Sequence, residues 1–145
     1  MESAEAYRRE NGLFIHSDSR STTGLWVIAE PFIRLTVDED PAAVGRAIVK
    51  ALSASRDGVP HPPPSGELFS PMLLLAEVPS WEDFVKEALS VSVGRDDGWL
   101  TFSPSRYEPS DDSFLPTKGR DMRIPDTASP EDIGKALNEA FALCE

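Results

Sequence analysis

Arg34-Leu-Thr-Val-Asp38-Glu-Asp-Pro41-Ala-Ala-Val44-Gly45-Arg46-Ala47-Ile48-Val-Lys-Ala51-Leu52 aligns without a gap on Arg123-Ile-Pro-Asp126-Thr-Ala-Ser-Pro130-Glu-Asp-Ile133-Gly134-Lys135-Ala136-Leu137-Asn-Glu-Ala140-Phe141, 89 residues further on. Each copy is a short extended run, then acidic and small polar residues, then a proline and a helix. Asp40 and Ser129 stand at N-cap positions. Pro41 and Pro130 follow at the first helical position, where a missing N–H costs nothing. Apolar residues recur at Val44, Ala47, Ile48, Ala51 and Leu52, and again at Ile133, Ala136, Leu137, Ala140 and Phe141. That i, i+3, i+4, i+7, i+8 spacing is the stripe of a helix packed on one face, so both copies are expected to dock on a sheet. A glycine inside a helix costs about 1 kcal/mol against alanine. Its recurrence at the same step, Gly45 and Gly134, predicts a close approach of each helix to strand backbone.

Working outward, Leu25-Trp-Val-Ile28 and Phe32-Ile-Arg-Leu-Thr-Val37 read as strands, with Pro31 marking a break or bulge between them. Leu13 to His16 is short and apolar enough for an edge strand, and residues 1–12 are polar and expected to be mobile. After the first repeat helix comes a proline-rich loop, Gly58 to Gly66, read as a spacer in polyproline II conformation. Leu68 to Val78 is an apolar segment whose type the pattern leaves open. Ser80 is the N-cap of a helix of about ten residues, with Trp81, Phe84, Val85, Ala88 and Leu89 as its apolar stripe. Ser90 to Gly94 and Trp99 to Ser103 alternate on either side of Arg95-Asp96-Asp97-Gly98, where Asp-Gly supplies the positive φ of a hairpin turn. Pro104 to Arg120 reads as an ordered loop, and Met122 to Ile124 as the strand before the last helix. The order predicts an α+β fold: a mostly antiparallel sheet with packed helices, a single globular domain over residues 13–145, and a repeated strand-helix unit.

The 145 residues are 40% apolar and carry a formal net charge of −11. No apolar run approaches the roughly 18 residues of a membrane span, and Met1-Glu-Ser-Ala-Glu-Ala-Tyr-Arg-Arg-Glu10 lacks a hydrophobic signal region, which together predict a cytoplasmic location. The one cysteine, Cys144, has no internal disulfide partner and is read as part of a frayed end. An excess of carboxylates opposes binding to a phosphate backbone, so nucleic acid is a poor partner. Residues 77–112 hold nine acidic side chains and three basic ones, a field that would steer a basic partner there.

Signatures of chemistry are missing. The sequence has no G-x-S-x-G elbow, glycine-rich phosphate loop or H-E-x-x-H, and its two histidines, His16 and His61, stand at no metal-ligand spacing. Catalytic, cofactor-binding and metal-binding residues are therefore expected to be none. Asp38-Glu39-Asp40 precedes a helix, where carboxylates favour free N–H groups and the helix dipole. Asp96-Asp97 suits a hairpin tip, whereas Asp111-Asp112 has no such local explanation. Trp99, Tyr107 and Phe114, flanked by Asp96, Asp97, Glu108, Asp111 and Asp112, are therefore read as a candidate binding patch with an apolar centre and an acidic rim.

Three phrases carry a family resemblance: Val44-Gly-Arg-Ala-Ile48 with Ala51-Leu-Ser-Ala-Ser-Arg56, Ser80-Trp-Glu-Asp-Phe84-Val-Lys86 with Val91-Ser-Val93, and Ile124-Pro-Asp126 with Pro130-Glu-Asp-Ile-Gly134-Lys-Ala136. Over most of residues 24–143 the chain resembles the immunity proteins of bacterial contact-dependent growth inhibition systems (CdiI). The resemblance implies a cytoplasmic, non-enzymatic protein that binds and neutralises the toxic C-terminal domain, often a nuclease, of one large secreted adhesin. A basic toxin would meet the patch just named. The rival reading is a small acidic enzyme or ligand-binding sensor, with carboxylates such as Asp38 and Asp40 on a metal or cationic ligand.

Overall fold

The computed structural model describes residues 1–62 and 67–145. Strands β1 (Glu2–Arg9), β2 (Gly12–Ser21) and β3 (Trp26–Leu35) form an antiparallel meander that leads into α1 (Pro41–Ala54). Next come β4 (Asp57–Val59), a 3-10 turn (Glu67–Phe69), α2 (Ser70–Ala76) and α3 (Trp81–Lys86). Strands β5 (Leu89–Asp96), β6 (Trp99–Glu108), β7 (Ser113–Pro116) and β8 (Met122–Pro125) follow, and the chain closes on α4 (Pro130–Ala142). The sheet has eight strands in the order β3-β2-β1-β5-β6-β7, with β4 parallel to β2 and β8 antiparallel to β6. The expected α+β architecture, mostly antiparallel with packed helices, is the one observed.

Several local expectations are corrected. Segment 1–12, expected to be mobile, supplies β1, a central strand paired to β2 on one side and β5 on the other. Its apolar face is made only of Ala4 and Ala6, and Glu and Arg dominate the rest, so the segment reads as polar surface. Small side chains are what that face needs, because α1 and α4 lie directly upon it. Leu13 to His16 is correspondingly an inner strand rather than an edge, with β1 and β3 as neighbours. The open segment 68–78 forms the 3-10 turn and α2, and α3 is only six residues long. The stretch 104–120, read as a loop, contains the second half of β6 and all of β7. Gly58 and Val59 of the proline-rich segment belong to β4, while residues 63–66 lie outside the described residues. Cys144 is half-buried, and the chain end is pinned: the Glu145 N–H donates to the Ser105 carbonyl at 3.0 Å.

Two cores lie on opposite faces of the sheet. Alternation along the strands sends Ala4, Ala6, Leu13, Ile15, Val91 and Phe102 toward α1 and α4. It sends Tyr7 and Phe14 toward Phe69, Met72, Phe84 and Val85 of the α2–α3 layer. Pro31 does mark a bulge, since His16 pairs with Phe32 and Ser17 with Ala29, leaving Glu30 and Pro31 over.

The repeat glycines serve a different approach from the expected one. A Cβ on Gly45 would stand 1.8 Å from the Pro130 carbonyl oxygen, and one on Gly134 would stand 1.9 Å from the Pro41 carbonyl oxygen. The close contact is therefore between the two helices, each laying its glycine on the first-turn proline of the other. The 89-residue repeat is a pair of strand-helix units whose helices meet reciprocally. Capping differs between them: Ser129 accepts the Asp132 N–H through its side chain, whereas Asp40 makes no side-chain cap.

Candidate functional site

The eight residues of the candidate patch fall at the two ends of one strand. β6 has ten residues, so Trp99 and Glu108 are separated by about 30 Å, at roughly 3.3 Å per residue. Asp96, Asp97 and Trp99 belong to the β5–β6 tip, and Tyr107, Glu108, Asp111, Asp112 and Phe114 to the β6–β7 end. The structure does not join them into one surface.

At the tip, Asp97 (φ 52°) and Gly98 (φ 82°) take the paired left-handed conformations of a tight hairpin. Trp99 points outward, 41% exposed, and the Arg123 guanidinium of β8 lies 4.2 Å from its ring centroid. That cation–π contact and the nearby Arg95–Glu2 ion pair place basic groups beside the tip aspartates.

The other end is differently built. Asp112 (φ 53°) turns the chain, its carbonyl accepts the Trp81 indole N–H at 2.9 Å, and its carboxylate accepts the Tyr107 hydroxyl. Asp111 accepts the Ser113 hydroxyl at 2.6 Å and is itself exposed. Tyr107 and Phe114 are half-buried. Phe114 meets Trp81 edge-on with centroids 6.3 Å apart and also touches Tyr7, so these aromatics belong partly to the second core. The bond to Asp112, ahead of burial and the charges of Asp112, Glu82 and Asp111, pushes the Tyr107 phenol up to about 12. Glu82 of α3 thus acts with Asp111 and Asp112 of the β6–β7 turn on the same phenol. Glu82, Asp83, Glu108, Asp111 and Asp112 lie at this end, and the cations described beside them, Lys86, Arg106 and Arg9, are all engaged. Lys86 pairs with Glu82 at 3.3 Å, Arg106 with Glu108 at 3.5 Å, and Arg9 donates to the Asp83 carbonyl at 3.2 Å and to the Phe84 carbonyl.

Beneath this end, between the sheet and β7, lies a cavity of about 300 Å³. Its floor is the Glu5 carboxylate of β1, which accepts the Ser90 hydroxyl at 2.5 Å and the Ser92 hydroxyl at 2.9 Å. Burial raises the Glu5 pKa against the opposing effect of those two hydrogen bonds. Tyr7, Trp81 and Phe114 form apolar walls, and Asp112 stands in the lining. Sequence reading misses Glu5 because β1 has the composition of a mobile terminus. The signal that could have found it is the alternation of Ala4 and Ala6 with Glu5 and Tyr7.

Beside Glu5 on the same face, buried His16 and partly buried Asp18 lie side by side, with Nδ1 and Oδ1 3.5 Å apart. Nδ1–H donates to the Ser17 carbonyl at 2.9 Å, which leaves Nε2 to accept the Tyr7 hydroxyl at 3.1 Å and fixes the tautomer. Burial, helped by the charge of Glu5, pushes Asp18 from 3.8 up to about 7, and burial drives His16 from 6.5 down to about 4. A carboxyl raised in the folded state stabilises least when ionised, so the Asp18 contribution is lost as pH rises from about 4 through about 7. A histidine lowered in the folded state has the opposite sense, and its contribution is lost as pH falls from about 6.5 through about 4. Asp18→Asn removes only the first. Each tenfold change in proton affinity is worth roughly 1.4 kcal/mol. With an allowance for partial solvation, we expect the stability of Asp18→Asn relative to wild type to be about 3 kcal/mol more favourable at pH 7.5 than at pH 4. Urea unfolding at the two pH values measures this, and a pH-independent difference contradicts it.

Among the described residues, no group of three or more His, Cys, Asp or Glu side chains is arranged to hold a metal ion, and no helix is long and apolar enough to cross a membrane. Asp38 and Asp40 are exposed ahead of α1, with no such grouping around them.

A family model described as CdiI, CDI immunity protein, matches residues 2–144. The fold is similar to that of a protein of unknown function from Neisseria meningitidis, with a TM-score of 0.83 and 22% identity over 99% of this chain and 95% of that one. It is also similar to a chain of a CdiA-CT/CdiI toxin and immunity complex from Yersinia pseudotuberculosis, with a TM-score of 0.82 and 15% identity over 99% of this chain and 97% of that one. None of the curated proteins compared matches the chain.

Proposed function

We propose that this chain, which belongs to the CdiI family of CDI immunity proteins, binds the C-terminal toxin domain of its cognate adhesin, occludes the active site, and has no catalytic activity of its own. The cytoplasm is where such a neutraliser would act. The toxin-facing surface in this reading is the β6–β7 end, with Asp111, Asp112, Glu108, Tyr107 and Phe114 joined by Glu82 and Asp83 of α3. The observation that carries it is the grouping of Glu82, Asp111 and Asp112 around half-buried Tyr107, with the cations described nearby, Lys86, Arg106 and Arg9, all engaged. An acidic rim around an apolar centre accelerates encounter with a basic partner and slows its release. The tip residues Asp96, Asp97 and Trp99 form a separate surface whose charge is partly answered by Arg95 and Arg123.

The test is binding between this chain and the C-terminal toxin domain of its cognate adhesin. We expect a 1:1 complex whose affinity is unchanged by EDTA, because the proposed contacts are carboxylates and aromatics rather than a metal bridge. Loss of binding on chelation contradicts the proposed mode of contact, and absence of any complex contradicts the function.

A further inference from the structure

We propose that the cavity floored by Glu5 seats an arginine side chain of the cognate toxin, making it the specificity pocket beneath the acidic surface. The inference rests on the toxin-binding reading and adds the chemistry of the anchor. Four observations support it.

The cavity lining includes two carboxylates, Glu5 and Asp112, and no Lys, Arg or His. Glu5 has no ion-pair partner among the described residues, because both neighbouring arginines on β1 are engaged elsewhere. Arg8 donates to the Asn138 side chain at 2.9 Å and lies over the Phe141 ring on the opposite face, while Arg9 donates to the backbone carbonyls of Asp83 and Phe84. Two serine hydroxyls hold the carboxylate in place, which orients it without supplying a counter-charge. The walls are the rings of Tyr7, Trp81 and Phe114, surfaces that attract a cation but offer a neutral polar group little.

A half-buried carboxylate given no cation is costly to fold around, and a partner's cation offsets that cost when it arrives. A guanidinium fits better than an ammonium, being planar, weakly hydrated and able to stack on a ring while donating to both oxygens of one carboxylate. The volume of about 300 Å³ accommodates such a side chain, and Asp112 ties the pocket to the outer surface.

The experiment has two arms. In the first, the toxin domain is bound to wild type and to Glu5→Gln, an isosteric change that removes the charge and keeps the hydrogen-bonding oxygen. We expect the variant to remain folded with an equal or higher urea midpoint, to associate within about twofold of the wild-type rate, and to dissociate at least about tenfold faster. In the second, ethylguanidinium chloride is titrated against the NMR signals of Glu5, Ser90 and Ser92, with neutral ethylurea as control. Saturable shifts are expected with the cation on wild type, and none with ethylurea or on Glu5→Gln. If the toxin binds but Glu5→Gln dissociates at the wild-type rate, the pocket is not the anchor and the proposal falls while the function stands. If ethylguanidinium saturates the pocket yet no toxin binds, the immunity reading fails and the proposed occupant fails with it. Unshifted signals in wild type overturn the cation pocket itself.

Discussion

Gly45→Ala is expected to destabilise the fold by about 3 kcal/mol or more, and Gly134→Ala by a similar amount. In an ordinary helix interior the change would stabilise by about 1 kcal/mol. Here the added methyl would lie 1.8 Å from the Pro130 carbonyl oxygen at one site and 1.9 Å from the Pro41 carbonyl oxygen at the other, and both obstacles are backbone. Neither can rotate away, so α1 and α4 must separate by more than 1 Å to restore ordinary contact. That movement lifts Ile48, Leu52, Leu137 and Phe141 from the face of Ala4 and Ala6. Overpacking commonly costs about 1 to 3 kcal/mol, and the sub-contact distances put this case at the upper end or beyond. A loss of about 3 kcal/mol corresponds to roughly 10 °C in Tm for a chain of this size. Because the two glycines share one helix crossing, the double variant should lose less than the sum of the singles. Thermal and urea midpoints at or above wild type for either alanine variant would refute the crossing.

The second large effect is on association with the toxin. Glu82→Lys/Asp111→Lys reverses two exposed charges at the β6–β7 end, a change of four units, and leaves Asp112 to hold Tyr107. The folded state should be nearly unaffected, within about 0.5 kcal/mol per exposed substitution plus the loss of the Glu82–Lys86 pair. The association rate should fall by at least about tenfold at low ionic strength, since steering accelerates encounters by about 10- to 1,000-fold. At 1 M salt the Debye length shrinks to about 3 Å, and the gap between variant and wild type should narrow to about twofold. Asp96→Lys/Asp97→Lys makes the same change of charge at the far end of β6 and should slow association much less. Equal effects from the two pairs would leave only a diffuse acidic field, and a larger effect at the tip would move the interface there.

Much of the fold is legible in the sequence because its determinants are local. The proline, cap and stripe of each repeat helix lie within about a dozen residues, and Asp97-Gly98 sets its hairpin by backbone conformation alone. What stays hidden depends on distant partners. Ala4 and Ala6 carry little hydrophobic signal, and only the helices that close over them, from residues 41–54 and 130–142, give those small side chains a reason. The glycine contact is misread from sequence for the same reason: a repeated Gly announces a close approach but not what approaches. Sequence proximity joins the candidate patch into one surface, although an extended strand carries ten residues across the whole sheet. Asp112 draws notice in sequence for lacking a local explanation, and the structure supplies one, a left-handed turn position whose carboxylate accepts the Tyr107 hydroxyl. Glu5 draws no such notice, because a single carboxylate in a polar stretch acquires meaning only when two serines of β5 and three aromatic rings close around it.

The most direct measurement is a titration of the cognate toxin domain's own activity with this chain. The account predicts complete loss of activity at one equivalent, with Glu82→Lys/Asp111→Lys requiring longer preincubation to reach the same end point. Activity that persists at saturating, demonstrably bound chain would contradict occlusion of the active site, and activity unaffected because no complex forms would contradict the immunity function itself.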